Sequence, residues 1–487
     1  MTEEMAHEDV IRELQAIVGP RWVLHRPEDL LAYECDGYTL ERRPPLAVVQ
    51  PDSTEEVSRV LRALHRRRIP FIPRGAGTGL SGGAIPQGGE VVISLTRMNR
   101  LLEVDVENQR AVVQPGHVNL HLTQKVQGHG YYYAPDPSSQ YACTLGGNVA
   151  ENAGGPHCLK YGVTMNHVLG LTLVLPDGEV VRLGGKAWDY PGYDLVGLVV
   201  GSEGTMGVVT EIVVRLLRRP QAVKTCLALF DTVEDASRTV SGITARGIIP
   251  AALELMDRLA IDAVEKGNFP VGYPPDIQAV LIAEVDGLAA GLDDQMERIV
   301  AVCRENNVRE VRVARTDAER ALWWNNRKTA FGAMGKLAPD YYVQDGVIPR
   351  SKLTEVLRRI DEISREYGLP VANVFHAGDG NLHPLVLYDR RQPGVVEKVV
   401  KAGSAILKAC VDAGGTISGE HGIGIEKRED MRLVFTQADL DAQSCVREVF
   451  DPDGLANPGK LLPSPARCVD IRALPVAGAA GGAGRAG

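Results

Sequence analysis

The sequence predicts an α+β protein in two main parts: an N-terminal part of short strands and glycine-rich loops, and a C-terminal part of antiparallel strands with helices on one face. Three observations point there. The 487 residues include 52 glycines and 29 prolines, above the usual ~12% for the pair, so turns and backbone-lined loops are expected rather than a helical bundle. Short apolar runs alternate with amphipathic stretches along most of the chain. The run Arg218-Arg219-Pro220 then separates two stretches of different grammar. At ~150 residues per domain, the length suits about three domains or subdomains.

In chain order, Met1 to Pro20 is polar and helical in pattern and lacks the features of a secretory signal. Residues 46–73 read as strand, helix, strand. Ser53 or Thr54 caps the helix, Glu55 and Glu56 fill its first turn, and Val57, Val60, Leu61 and Leu64 share one face. Arg66-Arg67-Arg68 reads as cations closing that helix rather than as an anion patch. Residues 90–95, 100–107 and 110–116 read as strands, and 118–129 as a helix. The stretch 134–165 is loop-rich, and two strands follow around a turn at Asp177-Gly178. Beyond 220, strands 225–230 and 278–287 alternate with helices 233–246 and 288–306. After about 426 the pattern is mainly helical. Residues 450–463 are turn-rich and return to another part of the molecule, and the low-complexity end is expected to be disordered.

Composition excludes several functions. A net charge of −9 argues against nucleic-acid binding. No stretch approaches the ~20 apolar residues of a membrane span. The eight cysteines are scattered without a C-x-x-C pair and read as reduced thiols of a cytoplasmic protein. No four-cysteine iron–sulfur signature is present, so electrons from a redox reaction would pass to another protein, a quinone or a soluble acceptor.

Residues 74–84, RGAGTGLSGGA, formally contain the G-x-G-x-x-G fingerprint at Gly77, Gly79 and Gly82. That fingerprint requires a helix to follow, and here a strand follows, so a Rossmann nicotinamide site is rejected. The loop still suits a pyrophosphate. Its glycines let successive N–H groups approach a ligand, and Thr78 and Ser81 add hydroxyl donors. The alternative is a flexible surface loop. A second cluster at 144–162, with Asn148 and Asn152, has the same character, and two such loops favour a large cofactor over a bare phosphate.

In HAGDGNLH, His376 and His383 flank a tight turn and can converge on one metal. With Glu420 of SGEHGIG they make a His₂Glu set, a composition that can leave a coordination position open for a substrate oxygen. His421, beside a ligand, suits a general base. The alternative is ordinary turn histidines. His117 and His121 read as helix-surface residues.

In order, RGAGTGLSGG, LGGNVAENAGG, GSEGTMGVVTE, HAGDGNLHP, SGEHGIG and NPGK resemble the FAD-linked 2-hydroxy-acid dehydrogenases. This is the group of the glycolate oxidase FAD-linked subunit and the D-lactate dehydrogenases, within the flavoprotein superfamily of vanillyl-alcohol oxidase and p-cresol methylhydroxylase. The resemblance spans roughly residues 20–463. It implies a two-subdomain FAD-binding domain over 1–218 and an α+β substrate, or cap, domain with an antiparallel sheet and the metal site over 219–449. A segment at 450–466 would return to the flavin, ahead of a tail at 467–487.

The pyrophosphate would lie on 74–83, with Arg74, Gly75, Ala76, Gly77, Thr78, Gly79, Ser81 and Gly82 in contact. Within 136–162, Asp136, Ser138, Thr144, Gly147, Asn148, Asn152, Gly154, Tyr161 and Gly162 would serve the rest of the cofactor. Glu203, Gly204, Val209 and Asn457 would complete its site. No histidine falls in the pyrophosphate loop, so non-covalent FAD is expected, with His157 as the one candidate tether.

The resemblance also implies that His376, His383 and Glu420 bind a divalent metal, zinc first and manganese or iron as alternatives. His421 would be the base and Arg327 would hold the substrate carboxylate in a fork. Two positions depart from the D-2-hydroxyglutarate dehydrogenase pattern: Phe331 stands for a threonine and Val343 for a lysine. The expected reaction is therefore oxidation of a small D-2-hydroxy monocarboxylate, glycolate or D-lactate, to the 2-oxo acid by hydride transfer to flavin. The alternatives are a dicarboxylate dehydrogenase, a non-catalytic FAD-carrying subunit of a larger oxidase, and a flavin-free zinc hydrolase. A homo-oligomer or hetero-complex is expected, with any membrane association made through a partner.

Overall fold

The structure is a computed structural model that describes residues 3–187 and 191–463. The expected tail at 467–487 and Cys468 lie outside the described residues. Strands Val23–Leu24, Ala47–Val49, Val91–Ser94 and Phe71–Arg74 form a four-stranded sheet in that order. Ala47–Val49 and Phe71–Arg74 flank Val91–Ser94 in parallel, and helix Thr54–Arg66 connects them. The Ser53 hydroxyl, not that of Thr54, accepts the Glu56 N–H and starts this helix. The four aliphatic residues expected on its inner face are all fully buried. Arg66 and Arg67 pair with Glu13, and Arg68 with Asp453.

The second sheet is antiparallel, in the order Leu101–Asp105, Arg110–Val113, Val208–Arg215, Val168–Val174, Val180–Gly184. Between these sheets the expected loop-rich stretch contains a helix, Leu145–Glu151. Its two glycines disfavour helix by propensity, but a Cβ at Gly146 would lie 2.5 Å from Pro115 Cβ. The close approach selects glycine, and Thr144 caps the turn by accepting the Gly147 N–H at 3.4 Å. Near the C-terminus, Leu455 O accepts the Phe71 N–H at 2.9 Å and Asn457 N–H donates to Phe71 O at 2.8 Å. The returning segment thus lies along the edge of the first sheet.

The third sheet has eight strands. Its main path runs Val308–Val313, Ala222–Phe230, Ala279–Gly287, Ala252–Asp257, Val371–His376, Asn381–Tyr388, Asp340–Val343, and Gly346–Val347 also pairs with Asn381–Tyr388. Helices Val233–Ala245, Leu292–Glu305, Leu353–Tyr367 and Val395–Asp412 pack on one face. The other face is covered too, by Arg258–Glu265, Asp317–Lys328 and Ala330–Ala333, which corrects the expectation of helices on one side. Strand Asn381–Tyr388 is buried at every residue, as near-continuous apolar strands require.

Period-two alternation decides what this second face presents. Ala252, Met256, Ile282, Val374 and Leu385 belong to its apolar cluster. Glu254, Glu284, His376 and His383 have the same parity on their strands and project to that side. Six cysteines, Cys35, Cys143, Cys158, Cys226, Cys303 and Cys410, are free. Cys445 is disulfide-bonded, against the expectation of reduced thiols throughout.

Candidate functional site

A cavity of about 310 Å³ runs between the glycine loops and the third sheet. Arg74, Gly75, Ala76, Gly77, Thr78 and Gly79 form one wall. Ser138, Thr144, Gly147, Asn148 and Gly154 form another, with Glu203, Gly204 and Val209 beside them. The two glycine clusters touch: a Cβ on Gly75 would stand 2.2 Å from Thr144 Oγ1. Arg74 folds back under Gly77 and donates to Cys35 O at 2.8 Å, so its guanidinium braces the loop. Backbone rather than side chains therefore encloses much of this space, and a large ligand carrying phosphate groups fits it.

At the other end of the cavity stand Arg327, Phe331, His376, His383, Glu420 and His421. His376 Nε2 lies 3.1 Å and His383 Nε2 3.3 Å from Glu420 Oε1. One ligand atom from each of these residues falls within 4.8 Å of the others. His383 Nε2 is buried without a hydrogen-bond partner. Two imidazole nitrogens and a carboxylate oxygen converging in this way, one of them orphaned, fit a divalent metal.

The electrostatics match the geometry. Burial pushes the Glu420 carboxyl up, but His376 and His383 outweigh it and hold the group well below its usual range. Burial pushes the His376 imidazole down, and Glu254 and Glu420 on its two sides lift it well above the usual value. The His421 ring stacks on His383, 4.8 Å between centroids and 6° from parallel. Burial, aided by His383 and Lys427, pushes His421 down to about 4, so it is neutral at ordinary pH.

Arg327 comes from the last turn of helix Asp317–Lys328, and its side chain is 4% exposed. Its NH2 lies 2.6 Å from Glu254 Oε2 as an ion pair, yet neither NH2 nor Nε has a hydrogen-bond partner. Phe331 packs its ring at right angles to His383, 5.7 Å away. Val343 is buried in the apolar cluster of the same sheet face and does not line the cavity.

Several residues expected at the cofactor lie off the cavity wall. The Ser81 carbonyl accepts the N–H groups of Ile425 and Glu426, and Gly82 faces Ile425. Asn152 bonds the backbone N–H of Met165. Tyr161 donates to Asp286, and Gly162 N–H bonds Cys158 O. Asp136 accepts from His157 at 2.9 Å, and His157 reaches Glu284 on its other side. Asn457 Nδ2 donates to Gly83 O at 2.9 Å and Glu203 O at 2.7 Å, tying the returning segment to the first glycine loop and to the turn at Glu203.

Residue-by-residue reading missed three carboxylates. Asp345 Oδ2 accepts the N–H groups of Gly419, Glu420 and His421 and the Ser418 hydroxyl, which shapes the whole SGEHG turn. Burial pushes Asp345 up, but His421, Lys427 and His383 hold it well below the usual range. Glu151 lines the cavity with a buried, unpartnered Oε2, and burial beside Glu203 holds it well above the usual carboxylate range. Glu254 bridges His376 and Arg327. Glu203 was expected at the cofactor. It stands on the cavity wall, and its carboxylate accepts from Ile423 N at 2.6 Å and Gly424 N at 2.7 Å.

The fold and the sequence both have known counterparts. The family described as FAD linked oxidases, C-terminal domain, matches residues 219–461, and the FAD binding domain family matches 45–184. The glycolate oxidase subunit GlcD of Escherichia coli (strain K12) is 47% identical over 467 residues, 96% of this chain and 93% of its own. A D-lactate dehydrogenase of Anaerostipes hadrus is 36% identical, covering 86% of this chain and 89% of its own. Among solved structures, p-cresol methylhydroxylase with substrate bound superposes with a TM-score of 0.79 at 17% identity, over 94% of this chain and 97% of its own, which shows a shared fold. Fold, cavity and relatives together define an FAD-dependent oxidoreductase. The chain belongs to the family of FAD-linked oxidases.

Proposed function

We propose that the protein oxidises a small D-2-hydroxy monocarboxylate, glycolate or D-lactate, to the 2-oxo acid, with FAD held non-covalently and a divalent metal, zinc first, on His376, His383 and Glu420. One observation carries the reading. Arg327, the His₂Glu set and His421 converge on the same cavity that the two glycine clusters enclose. FAD, when bound, supplies a two-electron acceptor for the Cα hydride, and the metal, when bound, polarises the substrate's hydroxyl oxygen.

The chain's own residues do the rest. The unpartnered Arg327 Nε, with NH2 beside it, donates to the substrate carboxylate in a bidentate fork. The neutral His421 imidazole, held flat against His383, accepts the hydroxyl proton. Among the described residues lining the cavity, the lysine and arginine side chains are Arg74, at the glycine loop, and Arg327. One cation at the metal end suits one carboxylate, and Phe331 occupies the space beside it. The relative in Escherichia coli is named as a subunit, and we propose that electrons leave to a partner protein or a quinone. No helix among the described residues is long and apolar enough to cross a membrane.

Anaerobic visible spectroscopy tests the reading. D-Lactate or glycolate should bleach the flavin band of the metal-replete protein, and chelation or His421→Ala should abolish the bleaching. Bleaching by D-2-hydroxyglutarate alone would overturn the monocarboxylate assignment. A yellow protein that no hydroxy acid bleaches would support a non-catalytic FAD-carrying subunit instead.

A further inference from the structure

Glu254 stands in an apolar row. Its strand neighbours on the same face, Ala252 and Met256, belong to the hydrophobic cluster, and Glu254 itself is 1% exposed. A carboxylate in such a place is costly unless both oxygens are engaged. Both are. His376 Nδ1 lies 2.8 Å from Oε1 and 2.9 Å from Oε2, and Arg327 NH2 lies 2.6 Å from Oε2. The antiparallel register sets Glu254 directly opposite His376, and Arg327 arrives from helix Asp317–Lys328.

We propose that Glu254 is a positioning residue shared by the two halves of the catalytic end: its one carboxylate orients His376 toward the metal and holds the Arg327 guanidinium at the substrate. The inference rests on the proposed metal-assisted reading. With Nδ1–H donating to Glu254, Nε2, 3.1 Å from Glu420 Oε1, is the nitrogen turned to the metal set and would ligate there once a metal displaces its proton. The same contact adds negative charge behind the ring and makes the ligand more basic. On its other side the carboxylate holds the guanidinium as an ion pair while leaving Nε and NH2 without hydrogen-bond partners, open to the substrate. Metal and substrate carboxylate are therefore linked through one side chain, and each alters the affinity for the other reciprocally.

The test measures Zn²⁺ affinity by competition with a chromophoric chelator, on the FAD-loaded full-length protein, separately from turnover. Glu254→Gln presents an amide N–H₂ to one of its two donors and should lower Zn²⁺ affinity by about 10- to 100-fold. KM for D-lactate should rise more than kcat falls, and FAD content should hold, because Glu254 is not on the cavity wall. Glu284→Gln is the structural control. Glu284 is a buried carboxylate on the same face that pairs with His157 and Arg320, so its loss should lower stability without changing Zn²⁺ affinity.

Arg327→Met frees Glu254 for His376 alone and should tighten Zn²⁺ several-fold, an effect that the double variant with Glu254→Gln should lose. If Glu254→Gln does not fold, a change of less than twofold in Arg327→Met alone overturns the proposal. Wild-type protein that binds Zn²⁺ no better than His383→Ala would sink the metal reading itself. Wild-type binding that depends on His383, with Glu254→Gln and Glu284→Gln indistinguishable, would leave that reading standing and refute the role of Glu254.

Discussion

Removing His157 should cost stability in a way that depends on pH. The side chain lies between Asp136 Oδ2 at 2.9 Å and Glu284 Oε1 at 3.3 Å, and its ring packs on Trp324 with 5.4 Å between centroids. Burial pushes the imidazole down, but Asp136 and then Glu284 outweigh it and raise it from 6.5 to about 10. A raised folded-state value means the fold stabilises the protonated form. The contribution is complete below the unfolded value and disappears as pH rises through about 10. Three to four units at ~1.4 kcal/mol each set a ceiling on the order of 5 kcal/mol. His157→Ala also removes the contact with Trp324, which adds a cost that does not vary with pH. Urea unfolding of both proteins between pH 6 and 10.5 should show the widest stability gap near pH 6, narrowing by several kcal/mol toward pH 10. A gap of constant width would show that the fold does not hold His157 charged and would refute the reasoning. Trp324 lies three residues before Arg327 on the same helix, so the variant should also raise KM for the hydroxy acid.

Three other outcomes follow from the same geometry. His421→Asn should slow anaerobic flavin reduction by about 10²- to 10⁴-fold in stopped-flow while flavin content stays near wild type, because the base is lost and the glycine loops are untouched. Gly75→Ala drives a Cβ to within 2.2 Å of Thr144 Oγ1, so released-flavin fluorescence should show weakened FAD binding. Asp345→Asn removes the charge that gathers three backbone N–H groups of the SGEHG turn. At about 1.5–3 kcal/mol for each bond to a charged group, it should lower both the unfolding midpoint and Zn²⁺ affinity.

What could be read from the sequence was what is local. The glycine loops announce themselves because backbone must come close to a ligand, and no other residue type substitutes for that. His376 and His383 sit on the two strands of one hairpin, close to its turn, so their convergence is set by a turn only a few residues long. The Leu145–Glu151 helix was hidden because Pro115, thirty residues away, selects the glycines that local propensity counts against helix. Val343 was expected at the substrate from its place in a motif, yet pairing opposite Leu385 sets it in the apolar cluster.

The carboxylates that organise the site were out of reach for a related reason. Asp345 acts on a turn more than seventy residues later, and Glu254 on a histidine 122 residues away. Each link depends on which strands become neighbours, and this sheet orders its strands out of sequence. One signal was nonetheless present. ALELMD places a glutamate among residues whose alternation buries both faces. A charge in such a run must find a partner or destabilise the fold. A buried acid within an apolar strand therefore points to a cationic or metal-bound partner across the sheet, and here the strand register supplies that partner as His376.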